Sequence, residues 1–202
     1  DKDHTKASGY LNSDKSVAGV QLLVDLYQAG QIPNLMTGNK GATETSDGVP
    51  GGQYASILDG PWMKEIWAKQ YPNFAPAMPA GEGGSISVVG GESIVITNKV
   101  KNLEAAYKFV EFTQSKEFQL PMSKAGQMTV VQEFAAEEAS ATPFYKIFSE
   151  QLKTAKARLS IPDAGKVDDI LNAELTPAFE GKVSVKEALT KAASQIDPLL
   201  TK

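Results

Sequence analysis

The chain has 202 residues with 20 Lys and Arg against 24 Asp and Glu, one His and no Cys, for a formal net charge of −4. Zero cysteines exclude disulfides, thiolate metal sites and cysteine nucleophiles, and lysines scattered among acids form no basic stripe for nucleic acid. With 42% hydrophobic residues the chain can bury one large core or two small ones, yet no apolar run approaches the roughly 20 residues that cross a bilayer. Asp1-Lys-Asp-His-Thr-Lys6 carries neither an initiator Met nor an apolar signal segment, so this start is read as a processed end or a cut.

Asn12 or Ser13 can cap a first helix with Val17, Val20, Leu23, Val24 and Tyr27 on one face, ended by Gly30 and Pro33. Met36–Gln53, rich in Gly, Thr, Asn and Ser without periodicity, is read as a long surface loop. Tyr54–Leu58 is expected as a short strand running into Asp59-Gly60-Pro61-Trp62, where Pro61 suits the start of a helix. Phe74–Met78, Ser85–Val89 and Glu92–Thr97 are expected as strands, separated by Pro79, Gly81–Gly84 and Gly90-Gly91. From residue 98 the pattern turns helical. Asn102 caps a helix with Leu103, Ala106, Tyr107 and Val110, and its pattern explains Tyr107, Phe109 and Phe112 as packing. Ser115 caps a second helix closed by Gly126, and Thr142-Pro143 opens a third with Phe144, Ile147 and Phe148. Val167, Ile170, Leu171, Leu175 and Ala178 mark a fourth, kinked or ended by Pro177. Ser184-Val-Lys-Glu187 is a capping box before a last helix carrying Ala188, Leu189, Ala192, Ala193, Ile196 and Leu199.

Little of this is catalytic chemistry. His4 stands alone near the terminus, so neither a histidine metal site nor a Ser-His-Asp triad can be built, and no phosphate-loop or nucleophile-elbow motif occurs. Carboxylate pairs such as Asp168-Asp169 and Glu137-Glu138 are sequence neighbours about 100° apart on a helix, so they do not flank one bond and read as solvated. Trp62 is the sharper feature. On a turn held by Gly60-Pro61 it either fills core or stands as a rigid apolar plate, and such plates suit the C–H faces of a sugar ring. For Trp67 the core reading is stronger.

Four stretches in order carry a resemblance: Leu11-Asn-Ser-Asp14 opening a helix that ends near Gly30; Ile57-Leu-Asp-Gly-Pro-Trp62; Gly90-Gly-Glu-Ser-Ile-Val-Ile-Thr97 with the helix Leu103–Phe112; and Gly181-Lys-Val-Ser-Val-Lys-Glu-Ala-Leu189. Together they span nearly the whole chain, which resembles the C-terminal half of the maltose-binding-protein-like carbohydrate-binding subunits of ABC importers. The resemblance implies an α/β, periplasmic-binding-protein-like (type II) fold with a helix-rich C-terminal lobe, a small sheet, and the N-terminal lobe largely missing. It implies lobes drawn at 1–95 with 156–202, while 96–155 packs toward the missing lobe and exposes apolar surface without it. It further implies a non-enzymatic sugar receptor that closes on its ligand by a hinge, without a cofactor or metal. The receptor would be extracellular, cell-surface-anchored as a lipoprotein, or periplasmic, and would deliver its sugar to ABC permease membrane subunits.

By the same resemblance Trp62 matches the family's aromatic plate, Gly90 and Gly91 a close-approach turn, and Glu92 a polar ligand contact. Ile161-Pro162 leads here to no second aromatic plate but to Asp163 and Asp168, which implies a more polar subsite where these acids bind hydroxyls. Two other readings stay open: the same fold binding a polyamine, peptide or other cation through Glu92, Asp163 and Asp168, and a glycoside-acting enzyme using Glu92 with one of those aspartates.

Overall fold

The structure, a computed structural model, describes residues 3, 5–32, 48–69, 71, 73–78 and 86–200. His4, Pro33, Pro79, Gly81–Gly84 and most of the loop expected at 36–53 lie outside these residues. In chain order the elements are α1 (Asp14–Gln28), α2 (Met63–Ile66), β1 (Val88–Val89), α3 (Leu103–Thr113), α4 (Lys116–Lys124), a 3-10 turn (Gln132–Phe134), α5 (Ala135–Ala141), α6 (Tyr145–Leu152), β2 (Lys156–Ala157), α7 (Ala164–Phe179) and α8 (Val185–Leu200). They fall into two compact units, Asp1–Ile57 with Leu159–Lys202, and Leu58–Arg158.

The first unit is built on α1, α7 and α8. On α8 the buried residues Val185, Ala188, Leu189, Ala192, Ala193 and Ile196 recur at helical spacing and form one continuous stripe. The small side chains of Ala188, Ala192 and Ala193 let neighbouring backbones approach. Val24 of α1 and Ala178 and Phe179 of α7 pack onto one half of the stripe, and Ala7 and Val167 onto the other. Tyr27 and Phe179 meet with ring centroids 5.8 Å apart. The caps are those the sequence predicts: Ser13 Oγ accepts from Ser16 N–H, and Ser184 Oγ accepts from Glu187 N–H. Gly30, at φ +69°, ends α1, with its N–H on Tyr27 O and Gln31 N–H on Leu26 O. This left-handed position closes orphan carbonyls at no Cβ cost. Pro177 stands in the last turn of α7, which ends at Phe179. Asp197 on α8 holds the N-terminal segment, accepting from the N–H groups of Ala7 (2.6 Å) and Ser8 (3.1 Å).

The second unit has less regular structure. Trp67 is buried, edge-on to Phe74 at 4.8 Å, and Phe74 in turn meets Phe144 at 5.4 Å. These contacts join residues 58–78 to α6 within one unit. The boundaries between the two units fall at 57/58 and 158/159. Of the expected strands only Ser85–Val89 contributes to a ladder among the described residues: its Val88 and Val89 (β1) pair in parallel with Lys156 and Ala157 (β2). Tyr54–Leu58, Phe74–Met78 and Glu92–Thr97 are irregular, because a strand-like sequence needs a hydrogen-bonding partner and none pairs with them among the described residues.

Tyr107, Phe109 and Phe112, expected as packing, are instead at least half exposed, as are Leu103, Ile94 and Val95. Apolar residues surround α3 on several sides, and its contacts leave most of that surface open. Ile94–Thr97, Lys99, Val100, Ala106, Phe109 and Val110 line an open groove there.

Candidate functional site

Trp62 stands on a turn built by its own neighbours. The Asp59 carboxylate accepts the Gly60 N–H at 2.7 Å, Gly60 O accepts from Met63 N–H at 3.2 Å, and Pro61 O accepts from Lys64 N–H at 3.2 Å. The indole folds back over Gly60 so closely that a Cβ there would overlap the Trp62 benzo ring. Met63 and Trp67 anchor the turn in the core, while Trp62 itself is 47% exposed. Beneath it lies the turn that closes α4: Gly126, at φ +95°, has the position of an absent Cβ 3.0 Å from Glu65 Cγ and 3.9 Å from Trp62 Cα. Any side chain at 126 would press on α2.

A polar hub supports this turn, and the sequence reading missed it. Tyr145, fully buried, donates its hydroxyl to Ser123 O at 2.9 Å, just before Gly126. Burial, then the negative charges of Glu65 and Glu138, hold the Tyr145 phenol above its usual range. Gln119 donates to Thr113 O at 2.6 Å and accepts from Thr129 Oγ1 (3.1 Å) and Val130 N–H (2.9 Å). Glu138, read from sequence as one of a solvated pair, is buried, with Oε1 accepting from Thr129 N–H at 2.6 Å. Glu137 does face solvent and pairs with Lys116 at 2.6 Å.

Gly90, Gly91 and Glu92 follow β1 directly and are exposed. Among the described residues, Gly91, Glu92 and Ser93 make no backbone–backbone hydrogen bond. Arg158 stands next to Gly90: a methyl group placed on Gly90 would lie 3.6 Å from Arg158 Nε. Asp163 and Asp168 belong to the other unit. Asp163 precedes α7, pairs with Lys166 at 2.6 Å, and its carbonyl accepts the Lys166 and Val167 N–H groups. Asp168 is exposed on α7 beside buried Val167. The structure thus brings Gly90–Glu92 together on one segment and holds Trp62 in the same unit, on another segment.

A family model described as bacterial extracellular solute-binding protein matches residues 1–146. The chain belongs to this family. A maltooligosaccharide ABC transporter solute-binding lipoprotein of Streptococcus pneumoniae R6 is 32% identical over 114 residues, 54% of this chain and 26% of that protein. Among solved structures, the GacH receptor of Streptomyces glaucescens, determined unliganded and with acarbose, superposes with a TM-score of 0.83 at 19% identity. That superposition covers all of this chain and 53% of the receptor. A cyclic alpha-maltosyl-1,6-maltose binding protein from Arthrobacter globiformis gives 0.73 at 24% identity, over 95% of this chain and 49% of that one. The likeness establishes the periplasmic-binding-protein-like fold, helix-rich with a small sheet. The chain spans about half the length of these solved structures. Among the described residues no helix is long and apolar enough to cross a membrane.

Proposed function

We propose that this chain is part of an extracellular receptor that captures a sugar or oligosaccharide and passes it to the membrane subunits of an ABC permease. The observation that carries the reading is Trp62, a half-exposed indole fixed over Gly60 on a turn that buried Met63 and Trp67 anchor. A large apolar ring kept in solvent costs stability unless a ligand covers it, and a pyranose face is the matching surface. The name of the Streptococcus lipoprotein supports an oligosaccharide of glucose as the ligand. In this reading Gly90, Gly91 and Glu92 contribute backbone groups and a carboxylate to the same sugar. Closure of the receptor's lobes traps the sugar without covalent chemistry.

Calorimetric titration of maltose, maltotriose and longer maltooligosaccharides into the gene product carrying this chain tests the proposal, with Trp62→Ala alongside. Binding that weakens by about 1–3 kcal/mol in the variant, the scale for an aromatic anchor, supports it. A protein that binds polyamines or peptides in preference to every sugar, or that turns a glycoside over, overturns it.

A further inference from the structure

Of the 20 basic residues in the sequence, only one is an arginine, Arg158. It immediately follows β2, and Gly90 immediately follows β1. Because β1 and β2 run parallel, with Val88 opposite Lys156 and Val89 opposite Ala157, both residues leave the ladder at the same, carboxyl end. The carboxyl ends of parallel strands are where ligands collect in α/β folds, since the chain there turns away and leaves backbone groups open. The side chains agree with the register: the position of a Cβ at Gly90 is 3.6 Å from Arg158 Nε and 4.0 Å from its Cδ. Arg158 is exposed and makes no ion pair among the described residues, although Lys64, Lys108, Lys116, Lys153, Lys166, Lys182, Lys186 and Lys191 all do. Its fork of five N–H donors is fixed in a plane and fits two adjacent oxygen acceptors, a geometry that an ammonium cannot reproduce.

We propose that Arg158 is a specificity-determining residue of the sugar site, gripping a pair of adjacent oxygens on one sugar unit while Gly90 keeps the space beside it clear. The inference rests on the sugar-receptor reading above. Two kinds of sugar unit offer the required oxygen pair: neighbouring ring hydroxyls of a neutral hexose, and the carboxylate of a uronic acid.

The test titrates maltotriose, and maltotriose oxidised to a uronate at its non-reducing C6, into the gene product carrying this chain and into its Arg158→Lys and Arg158→Ala variants. Arg158→Lys, which keeps the charge and loses the fork, is expected to weaken binding about tenfold, the scale of one charge-assisted hydrogen bond, and Arg158→Ala at least as much. Thermal midpoints should not move, because this side chain is exposed and makes no ion pair among the described residues. Equal losses for both sugars identify hydroxyls as the partner, and a larger loss for the uronate identifies the carboxylate. Wild-type affinity for both sugars in both variants overturns the role of Arg158 and leaves the sugar receptor standing. A wild-type protein that binds neither sugar, nor any other, removes the sugar-receptor reading and the role of Arg158 with it.

Discussion

Trp62 and Trp67 lie five residues apart and end in opposite environments, the first half exposed and the second with 2% of its surface accessible. What separates them is the chain around each: Trp67 meets Tyr71 and Phe74 edge-on, whereas Trp62 has Gly60 beneath its ring and Gly126 behind its backbone. Gly60→Ala should therefore act as a displaced Trp62. The added methyl collides with the indole, the ring swings into water, and tryptophan emission shifts to the red while the thermal midpoint moves little. Sugar affinity should fall by about 1–3 kcal/mol, as for Trp62→Ala, and unchanged affinity would detach the plate from binding. Asp197 carries a different residue-scale prediction. Hydrogen bonds from the Ser8 hydroxyl and from the Ser8 and Ala7 N–H groups, with the Lys6 charge, hold its carboxyl below the usual range. A carboxyl depressed in the folded state stabilises the fold above its unfolded value, near ~3.9, and loses that contribution as pH falls through the lower folded value. Thermal unfolding of wild type and Asp197→Asn should therefore differ most above about pH 4 and converge in stronger acid. A constant difference across that range would show that Asp197 acts by packing alone.

The helices differ in how completely their apolar faces are used. On α8 every large apolar residue of the stripe is buried, so Leu189→Ala should cost about 2–5 kcal/mol in chemical denaturation of the 202-residue chain. On α3, Phe109 is 56% exposed and Phe109→Ser should stay within about 0.5 kcal/mol. A large penalty at Phe109 would mean that this face is covered in solution. The same contrast explains what could be read in advance. α1 and α8 were legible because a long stripe at helical spacing coincides with a capping side chain at one end, and for α1 a glycine at the other. The ladder of β1 and β2 was not, because two residue pairs whose partners lie 68 positions apart leave no periodic signal, and Lys156–Ala157 lies in a stretch that reads as helical. Nor was α5, whose sequence AAEEASA has no stripe. Glu138 illustrates the cause: a carboxylate is buried by a partner, here the Thr129 N–H, and nothing in the local sequence announces that partner. Within the candidate site, Trp62 stood out by its type on the Gly60-Pro61 turn and the Gly90–Glu92 turn only through the family resemblance, whereas Arg158 became visible only when the parallel ladder set it beside Gly90.

At the scale of the whole chain, stability is organised by unit. Every residue of the two buried clusters around α8, from Ala7 to Leu200, belongs to the unit formed by Asp1–Ile57 and Leu159–Lys202. The unit Leu58–Arg158 relies instead on the aromatic row Trp67, Phe74, Phe144 and Phe148 and on the hydrogen bonds of Gln119, Glu138 and Tyr145. Substitutions in one set of contacts should then raise local opening in that unit first. Hydrogen exchange followed by mass spectrometry gives the readout. Leu189→Ala is expected to speed exchange in 14–28, 164–179 and 185–200 while leaving 103–124 and 145–152 near wild-type rates. Gln119→Ala, which strips the Thr113 carbonyl and the Val130 N–H of their partner, is expected to do the reverse, at a cost of about 1–3 kcal/mol. If either substitution instead accelerates exchange evenly along all five segments, the two units share one cooperative transition. A sugar titrated into the same experiment should protect the segments around Trp62 and Gly90–Glu92, and that protection should vanish in Trp62→Ala if the indole is the plate on which the ligand rests.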